Sequence, residues 1–509
     1  MMRWFSPVFA VLLLASQAHA VTDAGDDPPL LLTQVRQHYP SLAYVERYRQ
    51  TYPTEAQGTT PFWRQPGEAF GLRGPMELTR ALVQLEDQHV ALAGPKAGKT
   101  ETLGVLFRTA SDGNLAVWRV FDPVLLHAPA ASAPQPGDIV TAIDGMPARD
   151  WLRRAAALTF GGQRRGRYAE AATELGLATA VVHQVAGLGQ VVELDLQNTH
   201  GTTKTVRLRY SPVDGALAGA MAAAVDRADL PADFIAAGLH VASVRLGAFA
   251  PQYDPVFQSA ADRAGGDDDH AMLAGYCAVV QRFIRQADAA GQRADVVVLD
   301  LRGNLGGFDR EAWLLADALA PHALPATFDL FATPHAGMVR LVRETTDPSC
   351  GHTSTKAALV VWTDAGTRSA GEFEASWLWS AGALVIGERT VGAGGGFEFD
   401  GKPASPLPGS GYSVRLSGNF SVFDAAGRLG EGTTDEQALI ATLARDDFAP
   451  SRTRPFAIQS VGLRPDLPVV TTSADLRDGG LHALTSALAD LRAHGRLQAS
   501  SVATRGPGT

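Results

Sequence analysis

Residues 357–377 read "AALVVWTDAGTRSAGEFEASW", and the fold follows from how this stretch divides. Ala357–Thr363 is a short apolar run rich in β-branched and aromatic residues and closed by a Gly-containing turn, the pattern of a strand buried on both faces. From Ser369 onward Phe373 and Trp377 fall on one side of an amphipathic helix. A buried strand followed at once by a helix is half of a βαβ unit. The same alternation extends outward through "HVASVRLGAF" (240–249), the helical "DDHAMLAGYCAVVQRFIRQADAAG" (268–291), the strand "DVVVLDL" (295–301), the helical "EAWLLADALA" (311–320) and the strand "ALVIGE" (383–388). The expected architecture is an α/β core whose sheet is covered on both faces. In such sheets chemistry sits where strands end and helices begin, which points to the loops "RGNLGG" (302–307) and "DAGTRSAGE" (364–372).

The chain has 509 residues, 46% hydrophobic and 19% charged. That is more than one core covers, so two or three domains are expected. The formal charge of −9, without a dense Lys/Arg run, excludes nucleic acid as a partner. The first twenty residues, "MMRWFSPVFAVLLLASQAHA", combine Arg3, an apolar run and Ala18-His19-Ala20, the build of a secretory signal peptide. A periplasmic or extracellular destination follows. No later stretch is long and apolar enough to span a bilayer. Cys277 and Cys350 are the two cysteines; in an oxidising compartment they could pair, and two separately buried thiols are the alternative. Nothing in the sequence fixes an oligomeric state.

Composition and punctuation divide the chain into a signal peptide (1–20), an N-terminal helical region (21–95), a β-rich module (96–215), an α/β core (216–490, with an insertion at about 433–460) and a flexible tail (491–509). In "PMELTRALVQLEDQH" (75–89), Pro75 suits a first helical turn, and Leu78, Leu82, Leu85 and His89 share one helical face. His89 is therefore an interior candidate. The module opens with two strand-like runs in "TLGVLFRTASDGNLAVWRVF" (102–121), passes through the Ala/Pro-rich loop 127–136, and continues with "PGDIVTAIDGMPARDW" (136–151) and a second hairpin pattern at 191–210. It resembles a PDZ domain, with 151–188 as an insertion. PDZ domains bind extended peptide ends by adding a strand to a sheet edge.

"DLRGNLGG" (300–307), "TRSAGE" (367–372), "IGERTVGAGGG" (386–396) and "VGLRPDLPV" (461–469) occur together and in this order. With them the chain resembles the carboxyl-terminal processing (tail-specific) serine peptidases, most specifically over 295–396. The resemblance implies a crotonase-like βαβ catalytic core, a peptide or protein substrate, and serine-type hydrolysis without a cofactor. Ser369 matches the nucleophile of that family, and Gly306, Gly307 and the backbone N–H of Ala370 match its oxyanion hole. The residues support this independently: a helix N-terminus presents unpaired N–H groups and a positive dipole end to an anionic oxygen.

A serine hydroxyl needs a base. The processing branch uses a lysine in a Gly-Lys-Gly stretch, whereas this chain reads Gly392-Ala393-Gly394, and none of its five lysines is in register. The resemblance is closer to the branch containing the tricorn core peptidase, which uses a histidine, and His89 in "LEDQHVAL" matches that site with Gln88 where relatives have glycine. For the third, imidazole-orienting group, Glu431 in "GEG" is the first choice and Gln459 the alternative, depending on where the insertion falls. Glu372 and Glu388 are read as structural, the first solvated on its helix. No His pair has metal-ligand spacing, and no metal is expected. A catalytically weak peptide- or apolar-ligand-binding protein is the competing reading, since retinoid-binding proteins of the photoreceptor matrix share that core.

Overall fold

The computed structural model describes residues 27–497 apart from 59, 65–73, 95–98, 122–132, 266–267, 345, 347 and 397–404. The signal-peptide segment and most of the Ala/Pro-rich loop lie outside the described residues.

The centre is a six-stranded sheet in the order β1 (Asp233–Ala236), β2 (Leu239–Arg245), β3 (Val296–Asp300), β4 (Ala358–Thr363), β5 (Leu384–Gly387) and β6 (Leu467–Pro468). The β1–β2 pair is antiparallel and the remaining pairs are parallel. Strand periodicity sorts the side chains of this sheet into two cores. Leu299, Val361 and Val385 pack on α1 (Asp268–Gly291), α2 (Asp309–Leu319) and α3 (Ala370–Ser380). Val298, Val360, Trp362 and Ile386 face α4 (Leu481–Ala493). Near-continuous apolar strands are what a sheet covered on both faces requires, and the α/β expectation holds. The tail begins later than its sequence suggests: residues 491–493 end α4, and Leu491 and Leu497 are buried against the sheet.

A second, antiparallel sheet was not legible in the sequence. It runs from Gly395–Gly396 through Asn419–Asp424, Ala326–Ala332 and Met338–Arg343 to Gly432–Asp435. Its aromatic face, including Phe420, packs on Tyr44 and Phe448. The segment 21–95 is not a separate unit either, because Ala91–Ala93 pairs antiparallel with Tyr412–Arg415, and Leu78, Leu82 and Leu85 share a core with Leu407 and Val414.

The β-rich module forms a sheet of Val105–Thr109, Leu115–Val120, Ile139–Ile143, Val191–Gln197 and Thr203–Arg209, with Met146–Pro147 paired to the third. Residues 151–188 supply helices Ala148–Ala156, Arg164–Gly176 and Ala180–Ala186. The module touches the central sheet directly: Arg108 donates from Nη2 to the Arg302 carbonyl at 3.0 Å and stacks over Trp118.

Cys277 on α1 and Cys350 form a disulfide, which settles the two readings of these cysteines in favour of pairing. The bond closes a sequence separation of 73 residues. In the chain-entropy picture such a loop stabilises by about 4 kcal/mol. Urea unfolding with and without reductant should therefore show a lower midpoint when reduced, with Cys277→Ser/Cys350→Ser reproducing the reduced curve and ignoring reductant. Equal midpoints would show that the crosslink adds nothing.

Candidate active site

Strands β3 and β4 are parallel neighbours in register, Asp300 opposite Trp362, so the loops that follow them emerge side by side. They are bound to each other at several points. Gly303 N and Gly366 N donate to Asp364 Oδ1 at 2.7 and 2.9 Å, Thr367 Oγ1 donates to Leu301 O at 2.8 Å, and Arg368 N donates to Asn304 O at 3.2 Å. At the root of the first loop Asp300 accepts from Arg302 at 2.8 Å through both carboxylate oxygens and pairs with Arg245. Burial alone would raise the Asp300 carboxyl, but the two guanidinium groups outweigh it and hold it well below the usual carboxylate range.

Ser369 occupies the N-cap position of α3 with φ 51° and ψ −127°. A positive φ at a non-glycine residue costs of order 1–3 kcal/mol and persists only where the surroundings over-determine it. Here Glu372 does so. Its Oε2 accepts from Ser369 N at 3.1 Å and Ala393 N at 2.7 Å, and its Oε1 accepts from Gly392 N at 2.8 Å and from the Thr390 hydroxyl. The side chain is fully buried, and burial pushes its pKa up to about 7 against the pull of these four donors. The expectation of a solvated Glu372 is therefore wrong in its environment, although a structural role is correct. The Ser-x-x-Glu spacing of a capping box was a usable signal for it.

With its backbone so held, Ser369 presents Oγ to His89, whose Nε2 lies 3.0 Å away. His89 is not on the helix that its spacing implied. The helix Pro75–Leu82 gives way to a 3₁₀ turn at Val83–Leu85, and Glu86 has φ 52°. The chain thus leaves the helix before His89 and delivers it in the turn ahead of Ala91–Ala93. Glu86, fully buried with Arg49 at 2.8 Å and Arg167 at 3.1 Å, fixes that turn from behind. His89 is buried, which lowers its pKa; the Asp87 carboxylate raises it and Arg368 lowers it, and the net displacement is downward.

The two glycines of 302–307 stand where a Cβ would collide. On Gly306 (φ 76°) it would lie 2.7 Å from Ser369 Cβ, and on Gly307 (φ 139°) 2.0 Å from Phe249 O. Gly306 N is satisfied by Asn304 Oδ1 at 2.8 Å, and Phe249 bridges the turn through Gly306 O and Phe308 N. Among the described residues, the N–H groups of Gly307 and Ala370 donate to no protein acceptor. They are the free pair beside Ser369, whereas Gly306 contributes clearance rather than a donor.

The two candidates for a third group separate. Glu431 is exposed, and its Oε1 accepts from Arg343 N at 3.1 Å. It adjoins Gly432–Asp435, four strands across the second sheet from Gly395–Gly396, or about 19 Å at normal strand spacing. That placement overturns its assignment to the Ser369 site: the intervening strands 326–343 carry the segment to the far edge. Gln459 is fully buried behind the glycine loop, its backbone against Gly394 and its carbonyl accepting from Tyr44 Oη at 2.8 Å. The carboxylate beside His89 is Asp87, which the sequence reading passed over. Its Oδ1 accepts from His89 N at 2.8 Å, and its Oδ2 accepts from Tyr39 Oη at 2.9 Å and Ser417 Oγ at 2.7 Å. Glu388, read as structural, joins Arg165 of the module at 3.2 Å.

Comparison with known proteins bears on this geometry. Residues 272–399, which contain both loops and α3, match the model of Peptidase family S41. The fold is similar to that of mature CPAF complexed with lactacystin, at TM-score 0.56 and 15% identity, over 93% of this chain and 98% of that one. It is likewise similar to mature CPAF alone, at 0.55 and 15%, over 93% and 97%. No curated protein sequence matches the chain. The match over 272–399 supports a peptidase reading, that of a hydrolase whose substrates are peptides or proteins. No described helix is long and apolar enough to cross a membrane, and no group of described His, Cys, Asp and Glu residues could hold a metal ion.

Glu372→Gln tests how the Ser369 backbone is held. An amide presents one acceptor oxygen where the carboxylate presents two, so N–H donors are left facing an NH₂ group. Urea unfolding should show a loss of about 1–3 kcal/mol; an unchanged midpoint would mean that the four bonds contribute little.

Proposed function

We propose that the protein is a secreted serine endopeptidase in which Ser369 is the nucleophile, His89 the base and the N–H groups of Gly307 and Ala370 the oxyanion hole. The observation that carries this reading is the 3.0 Å approach of His89 Nε2 to Ser369 Oγ across 280 residues of sequence. Ser369 Oγ attacks the scissile carbonyl carbon as its proton passes to Nε2. The carbonyl oxygen becomes an oxyanion and receives the two N–H groups. On collapse His89 returns the proton to the departing amine, leaving an acyl-Ser369 ester that water hydrolyses by the same steps. Asp87 is the proposed third member. It stabilises the imidazolium formed during attack by its charge, and by holding the His89 backbone it fixes where the ring stands. A lysine base finds no support: Lys204, for example, is committed to Asp138 at 2.9 Å in the module.

The β-rich module is proposed to dock extended substrate in PDZ fashion. Its last strand, Thr203–Arg209, is a sheet edge whose outward residues are exposed, as strand addition needs. Secretion is supported by the signal-like first twenty residues and by the Cys277–Cys350 bond, since disulfides persist in oxidising compartments. The non-catalytic binding-protein alternative leaves the strained Ser369 backbone and the paired free N–H groups without a role.

A fluorophosphonate probe should label wild type and not Ser369→Ala, while His89→Ala should react roughly 10²–10⁴-fold more slowly. Persistent labelling of Ser369→Ala would refute the nucleophile. The base must be neutral to accept a proton, and burial holds its pKa below the ordinary imidazole value. Hydrolysis of a peptide ester should accordingly keep its full kcat/KM down through neutral pH, with an acid limb below about 6.5. An acid limb well above that value would remove His89 as the base. Asp87→Asn should lower kcat by roughly 10²–10⁴, and Glu431→Ala should leave it unchanged. The reverse pattern would restore Glu431 to the site.

A further inference from the structure

Gln88 immediately precedes His89, and Arg368 immediately precedes Ser369. Both side chains end on one carboxylate. Gln88 Nε2 donates to Glu170 Oε2 at 2.9 Å, and the Arg368 guanidinium forms an ion pair with the same group. Glu170 is 8% exposed and belongs to neither catalytic segment; it sits on the module helix Arg164–Gly176. That helix is itself immobilised against both segments. Gln163 at its N-cap donates from Nε2 to Thr390 O at 2.9 Å and Arg389 O at 3.2 Å, Gly166 abuts Val391, and Arg167, one turn before Glu170, pairs with Glu86 at 3.1 Å. Arg368 is also tied by Nε to Leu305 O at 3.3 Å, on the loop 302–307.

We infer that Glu170 is a positioning residue of the peptidase centre: a module carboxylate that sets the His89–Ser369 separation by holding the residue before each, and that neutralises Arg368 beside the imidazole. The inference rests on the Ser369/His89 reading and deepens it. No residue of the module touches the reacting atoms on this account; the module acts through two neighbouring side chains. A misplacement of about 1 Å at a reacting pair can cost of order 10²-fold, so a short two-pronged contact to a rigid helix is enough to matter.

The charge half of the inference separates positioning from plain interface packing. The groups facing His89 are Asp87 from its own turn with the Tyr39 phenol behind it, Arg368 and Glu372 from the Ser369 loop and helix, and Glu170 from the module behind Arg368 and Gln88. Arg368 disfavours the imidazolium. Without Glu170 its charge is opposed by Glu372 alone, the imidazole pKa falls further, and the acid limb of kcat/KM moves to lower pH. Packing alone predicts no such move.

The experiment compares wild type, Glu170→Gln, Glu170→Asp and the double variant Glu170→Gln/Arg368→Gln, with circular dichroism as the check on folding. Glu170→Gln should lower kcat by roughly 10–10²-fold, change KM by less than about twofold, and shift the acid limb downward. Glu170→Asp keeps the charge while withdrawing it by one methylene, so kcat should fall with the limb in place; it is also the informative variant if Glu170→Gln does not fold. The double variant should return the limb toward wild type. Wild-type kcat and an unmoved limb in Glu170→Gln would overturn the inference, as would a limb equally displaced in the single and double variants. An NMR titration of the His89 imidazole in wild type and Glu170→Gln requires no turnover. If wild type neither hydrolyses esters nor labels at Ser369, the peptidase reading fails, while equal or different His89 titrations still decide whether Glu170 governs the imidazole.

Discussion

The site depends on a carboxylate that takes no part in the proposed chemistry. Glu372 is buried and accepts from Ser369 N, from two successive N–H groups of the glycine loop and from Thr390. Through it three constraints become one. The Ser369 backbone is kept at a positive φ, the loop 390–394 is pinned to the first turn of α3, and the N-terminal end of that helix is left facing the space between Ser369 and Gly307. The question posed by a serine at a helix start, cap or nucleophile, thus has a physical answer. It stands at the cap position of a capping box, where Glu372 holds its backbone N–H, and its Oγ also lies 3.0 Å from His89 Nε2.

The core sheet supplies the second level of order. Because β3 and β4 are parallel and adjacent, their outgoing loops must leave on the same side, and cross-bonds through Asp364, Thr367 and Asn304 convert adjacency into fixed distance. What the sheet cannot supply is the histidine, which arrives from the opposite part of the chain in a turn held by Glu86 with Arg49 and Arg167. The module contributes to that turn through Arg167, and through Glu170 it binds Gln88 and Arg368, the residues before His89 and Ser369. The centre is therefore assembled from three regions, which ion pairs and hydrogen bonds tie together around Ser369 and His89 and which also share apolar cores.

The sequence was informative where periodicity is local and misleading where it is not. The strands 296–300, 358–363 and 384–387 and the helices 309–319 and 370–380 were legible because each is a complete buried element with its own turn signals. The hairpin 326–343 was missed because its faces alternate between a core and a half-open surface, leaving no long apolar run. That one omission also misplaced Glu431, since counting residues back from a downstream motif ignores strands that carry the chain across a sheet. His89 was read as interior for a partly wrong reason: its i, i+4 spacing from Leu85 looks helical, yet the helix has ended and Glu86 has turned left-handed. Asp87 and Glu170 could not be weighed, because their meaning lies in what they face and not in what flanks them.

His89 and Ser369 are separated by 280 residues, and the strand that steadies the histidine turn, Ala91–Ala93, pairs with Tyr412–Arg415. Such long closures carry a large entropic cost and are satisfied late in folding. The dyad cannot exist in a chain that has not yet brought its first hundred residues back onto residues beyond 400. A partly emerged or partly folded chain accordingly lacks the Ser369–His89 contact, whatever local structure its helices and strands have gained. On the Ser369/His89 reading, topology alone delays reactivity until these closures are made.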